Sequence, residues 1–171
     1  MKAKLMFMVQ EAGKNFGTIA QFNSNGFIFV AELKNCGIED FIEDKEYDVD
    51  VKFYGQHIYN VYENEEEYYA SENHMSSEAI IPAGAFNPNP EDKRWKPAPF
   101  NYINSKVVNI EDSSRIKLPG KLYLIQGQVL GHEIDQSLYW ENKNEAKDVK
   151  IGNIVLGLYW AELKLERSVE C

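Results

Sequence analysis

The stretch Tyr47-Asp-Val-Asp-Val-Lys-Phe-Tyr54 puts Tyr47, Val49, Val51 and Phe53 on one face of an extended chain and Asp48, Asp50 and Lys52 on the other. Such alternation marks a half-buried β-strand, because successive strand side chains point to opposite faces. Working outward, residues 16–22 and 27–33 are two further apolar runs. They flank Asn23-Ser24-Asn25-Gly26, whose Asn-Gly step suits the positive φ angles of a tight hairpin turn. Residues 2–9 read as a first strand, and residues 58–62 as a short separate one after a break at Gly55. Downstream, residues 102–110, 121–130 and 154–165 are rich in Val, Ile, Leu and Tyr and are bounded by Pro119-Gly120, Gly131 and Gly152-Asn153. The second half thus repeats the pattern of the first without repeating its sequence. Gly127 and Gly157 lie inside two of these runs, where a missing side chain permits a bulge or a sharp coil.

Helix signals are few: residues 63–71 suit a short acidic helix, and residues 38–44 one turn. Five of the six prolines fall between Pro82 and Pro99, which excludes regular sheet there because proline removes a ladder donor. Phe86, Trp95 and Phe100 in and beside this stretch need burial, so it reads as a long loop laid across one domain rather than a linker. The expectation is one domain spanning residues 1–171, all-β with minor α. Its expected form is an OB-like β-barrel with a short acidic helix and a long Pro-rich loop, and a subdivision near residues 76–100 is the alternative.

Composition narrows the function classes. With 44% hydrophobic residues in 171, the chain has the apolar surface that folding requires, which excludes global disorder. Eighteen basic against 27 acidic residues leave a net charge of -9, a sign that repels phosphate backbones and disfavours nucleic acid as a partner. Cys36 and Cys171 form neither a disulfide framework nor a CxxC pair. The apolar run at residues 5–9 is too short for a secretory leader, and no window approaches the ~18 apolar residues of a membrane span. These features point to the cytoplasm. The same apolar run and unpaired strand edges leave room for a homo-oligomer.

Charge is unevenly spread. Residues 39–72 hold twelve acids and two bases, a local charge of -10 that leaves the remainder at +1. This suggests an acidic surface steering a basic protein partner, with Glu63, Glu65, Glu66, Glu67, Tyr62 and Tyr68 as its contact residues. The competing reading is a solvated face that keeps the chain soluble. Tyrosines in the same stretch could stack bases, as in an oligonucleotide-binding OB domain, but the acid excess there favours packing.

An enzymatic alternative rests on Gly131-His-Glu-Ile-Asp135, where His132, Glu133 and Asp135 offer metal ligands for an assisted hydrolysis. His-Glu-x-x-His zinc spacing is missing, since position 136 is Gln, and a strand would turn His132 away from Glu133 and Asp135. No Gly-x-Ser-x-Gly nucleophile elbow and no phosphate-cradling glycine motif occurs, and no catalytic residue and no cofactor is assigned. Cys36 sits near Glu39 and Asp40, which disfavour a thiolate. Arg94, in Lys93-Arg94-Trp95-Lys96, suits an anion or a carboxylate.

Three segments together resemble a family of uncharacterised bacterial proteins with an OB-like β-barrel. They are Ala79-Ile-Ile-Pro-Ala-Gly-Ala-Phe86, Val129-Leu-Gly-His-Glu-Ile-Asp135 and Lys150-Ile-Gly-Asn-Ile-Val-Leu-Gly-Leu-Tyr-Trp-Ala-Glu-Leu163, and the resemblance covers about residues 76–165. It implies the fold and no activity. His132 stands where the family pattern has a second glycine. The favoured expectation is a non-catalytic binding module.

Overall fold

The computed structural model describes residues 1–9, 17–42, 44–72, 75–83, 89, 91–94, 96–112, 121–129, 132–140 and 149–166, with the backbone alone at 7–9, 111–112, 121–128 and 132–140. The fold is mostly β, with nine strands among the described residues: β1 (Lys2–Val9), β2 (Ile19–Ser24), β3 (Phe27–Leu33), β4 (Glu46–Tyr62), β5 (Ala79–Pro82), β6 (Phe100–Asp112), β7 (Lys121–Val129), β8 (His132–Trp140) and β9 (Ile154–Leu165). A 3-10 turn at Ile38–Asp40 and one helix, α1 (Glu65–Ala70), complete the elements. The strand order is β1-β2-β3-β9-β4-β8-β7-β6-β5, with further pairings β1–β4 and β9–β6 that bring the sheet partly round into a ring.

The chain divides into two compact units. Unit 1 holds residues 1–52, 81–101 and 160–171, and unit 2 holds residues 53–80 and 102–159. The boundaries between the units fall inside β4, β5, β6 and β9, so each of these strands contributes to both units.

Unit 1 is built on the expected hairpin. Asn25 (φ 51°) and Gly26 (φ 87°) are both left-handed, and Ser24 pairs with Phe27 across this two-residue turn. Left-handed φ at both turn positions matches the right-handed twist of the flanking strands, which is why Asn-Gly serves here. Phe22 and Phe29 pair across the hairpin with ring centroids 5.8 Å apart, and Phe41 meets the Phe22 edge at 5.3 Å. These rings, with Ile19, Val49 and Leu163, are buried and form the unit's core.

The described part of the Pro-rich stretch packs into this unit. Pro97 and Pro99 are buried, and the Pro99 carbonyl, which proline retains, accepts from Ala161 N–H at 2.9 Å. Buried Asn101 both donates to and accepts from the Val30 backbone, at 2.9 and 2.8 Å, replacing a neighbouring strand with a side-chain amide. Phe86 and Trp95 lie outside the described residues.

Two strand expectations need correction. Gly55 does not break the chain, because β4 runs unbroken through it for 17 residues. Glycine weakens a strand without forbidding extended geometry, and β4 is held here by neighbours on both edges, including β8 opposite Phe53 and Tyr54. Residues 132–140, read only as β context, form a full strand paired along its length with β7. Gly157 serves close approach: a Cβ there would lie 2.9 Å from the His57 carbonyl and 2.9 Å from the Tyr159 ring. In unit 2, Tyr159 is buried, as are Ile103, Val107 and Val155.

Candidate interaction surface

Helix α1 is short and strongly anchored. The Asn64 side chain caps it by accepting from Glu67 N–H at 2.9 Å, and the Glu67 carboxylate accepts from Glu63 N–H in return. Tyr68 pins the helix to unit 2: it is 1% exposed, its hydroxyl accepts from Asn104 Nδ2 at 2.8 Å, and it donates to the Met75 carbonyl at 3.2 Å. The Tyr62 ring meets the Tyr68 ring edge-on at 5.1 Å. Burial, and then the neighbouring Tyr62 and Tyr69, push the Tyr68 phenol above its ordinary range. Tyr68 is therefore an anchor and not a surface contact, which corrects the expectation of an exposed ring. Tyr62 is half-buried.

Outside this anchor, the helix presents carboxylates. Glu63, Glu65, Glu66, Glu67 and Glu72 are all exposed, and residues 63–72 contain no base. Glu65 accepts from Ser77 Oγ at 2.9 Å. None of the ion pairs among the described residues involves a carboxylate of this segment. Tyr69, at 52% exposure, is the ring that faces water here, and its hydrogen bonds with the Ser77 side chain and backbone draw its phenol below the usual tyrosine range.

The acids of the wider stretch are divided between the units: those up to Asp50 belong to unit 1, and those from Glu63 onward belong to unit 2. Its aromatic residues differ in exposure. Phe53 and Tyr68 are buried, Tyr54 and Tyr62 half-buried, and only Tyr59 and Tyr69 exposed. Tyr59 is engaged with Tyr102 at 5.8 Å and with His57 edge-on at 4.6 Å.

The other sequence candidates are placed as follows. His132, Glu133 and Asp135 stand on β8 opposite Val129, Gln128 and Gln126 of β7, and their side chains lie outside the described ones. His74 also lies outside the described residues. Among the described residues, no three His, Cys, Asp or Glu side chains gather as a metal site. Cys36 is half-buried. Arg94 does hold a carboxylate, that of its own neighbour Asp92 at 3.0 Å.

Sequence reading missed one charged cluster in unit 1. Glu32 of β3 and Glu162 of β9 stand opposite each other in parallel register, and Lys34 Nζ bridges them at 2.9 and 3.3 Å. Like charges directly opposite are unfavourable, and the lysine removes the conflict. Only the parallel pairing of strands 130 residues apart brings the three together, so no local signal announces it. No protein-family model, curated protein or solved structure matches this chain.

Proposed function

We propose that the protein is a non-catalytic interaction module that binds a basic protein segment through Glu63, Glu66, Glu67 and Glu72, with Glu65 and exposed Tyr69 at the margin. The observation that carries this reading is Glu72. A helix dipole favours acids in the first turn, which accounts for Glu65, Glu66 and Glu67 as helix stabilisers. It accounts for Glu72 in the opposite sense. That residue follows the helix C-terminus, where negative charge is disfavoured, and it takes a left-handed φ of 60° that glycine or asparagine adopts more easily. A residue poor for stability on two counts, beside an uncompensated acidic helix, suits binding rather than folding.

Architecture supports the same class. Unit 1 closes the circuit β1-β2-β3-β9-β4 through the β1–β4 pairing, with β3 and β9 parallel. A five-stranded Greek-key ring of this order supports an OB-like reading of the unit, a scaffold used for binding. Net negative charge argues against nucleic acid as the ligand. Among the described residues, no helix is long and apolar enough to cross a membrane, and with the cysteine usage this favours a cytoplasmic setting.

The test compares immobilised wild type with a variant carrying Glu63→Gln, Glu66→Gln, Glu67→Gln and Glu72→Gln, both exposed to a cytosolic extract. The expected result is a basic protein retained by the wild type, released by raising salt to about 0.5 M, and absent from the variant. Identical captures would return this charge to a solubilising role.

A further inference from the structure

The two halves of the chain lack a sequence repeat, yet their strands pair alike. In each, a three-strand antiparallel meander precedes one long strand: β1-β2-β3 then β4, and β6-β7-β8 then β9. In each, two residues separate the paired ends of the second and third strands, with Ser24 opposite Phe27 and Val129 opposite His132. In each, the first strand slips by one residue against the second, at Met6 in β1 and at Val108 in β6. The first strand pairs with its own half's long strand, β1 with β4 and β6 with β9. The third strand pairs in parallel with the other half's long strand, β3 with β9 and β8 with β4.

Register makes the correspondence quantitative. Met6 to Val108 is a shift of 102 residues, Ser24 to Val129 one of 105, and Glu46 to Ile154, where the long strands begin, one of 108. These three shifts reproduce pairings not used to set them. Leu5 with Phe22 is carried onto Val107 with Gly127, which is observed. Glu32 with Glu162 is carried onto Ser137 with Tyr54, which is observed on the parallel ladder of β8 with β4. The turn before each long strand also matches: Lys45 N–H donates to Ile42 O at 3.2 Å and Asn153 N–H to Lys150 O at 3.1 Å. Within those turns, left-handed Asp44 corresponds to left-handed Gly152. A slip of one residue anywhere would break these agreements and turn a strand's side chains to the wrong face.

We infer that the chain consists of two equivalent half-chains that exchange long strands. β4 gives its residues up to Lys52 to unit 1 and those from Phe53 to unit 2, while β9 gives those up to Tyr159 to unit 2 and those from Trp160 to unit 1. This is the strand exchange of a domain-swapped dimer carried out within one chain. Neither unit is composed of one half alone, so the two units form and open together rather than as independent domains.

Hydrogen exchange followed by mass spectrometry on the full chain tests this with two mild core variants, Ile19→Val in unit 1 and Ile103→Val in unit 2, both fully buried positions. Each is expected to speed exchange of the most protected amides about tenfold at most, and by the same factor in both units. Acceleration confined to the substituted unit would overturn the coupling. Equivalence is tested by trading turn residues, Asp44→Gly with Gly152→Asp. The double variant is expected to keep the same set of protected strands, and loss of protection in either long strand would overturn the correspondence.

Discussion

Tyr159 is a chemical anomaly at the level of single residues. Its side chain is fully buried in unit 2 and its hydroxyl has no hydrogen-bond partner among the described residues. Burying an unpaired hydroxyl costs about 1–3 kcal/mol, so Tyr159→Phe is expected to stabilise the protein by about 1 kcal/mol in urea titrations. Burial also drives the Tyr159 phenol far above its ordinary 10.0. A raised folded-state value means the unfolded chain loses this proton first. Stability is therefore complete below about pH 10 and falls above it, by up to about 1.4 kcal/mol per pH unit for this one group. Tyr159→Phe removes that contribution, so its alkaline unfolding should begin at higher pH than in the wild type. Unchanged alkaline unfolding in the variant would show that other groups, such as Tyr68 and Lys34 with their own raised values, govern it.

Among the elements, α1 shows how far a sequence can be read and where the reading stops. Its place, length and acidity were legible, because Asn64 and the following glutamates are capping and first-turn residues. Which tyrosine it buries was not, since Tyr68 and Tyr69 are adjacent and only the packing against Asn104 of β6 separates their fates. The hairpin at Asn25-Gly26 was legible for the same local reason. The continuity of β4 through Gly55 was not, because that depends on partners distant in sequence. For Glu72 the local rules make a two-sided prediction. Glu72→Gly removes both the left-handed strain and the charge at the helix C-terminus, and is expected to raise stability by about 1 kcal/mol. The same change should weaken capture of a basic partner. A variant that gains stability and loses no binding would remove Glu72 from the interaction surface.

For the whole molecule, the decisive property is that each unit draws strands from both ends of the chain. Period-2 patterning foretold the strands and the likeness of the halves, but parallel pairings such as β3 with β9 have no sequence signature. The consequence can be read in unfolding. Leu163 is fully buried in unit 1 on β9 and pairs with Leu33, so Leu163→Ala is expected to cost about 2–5 kcal/mol. With a urea dependence of about 1–3 kcal/mol per molar, the midpoint should fall by at least about 0.7 M. Because β9 continues into unit 2 before Trp160, the loss should not stay local. Tryptophan fluorescence and far-UV circular dichroism should move together and remain superimposable, in the variant as in the wild type. Separation of the two curves, with part of the β signal keeping the wild-type midpoint, would mean that the units unfold independently despite the strands they divide between them.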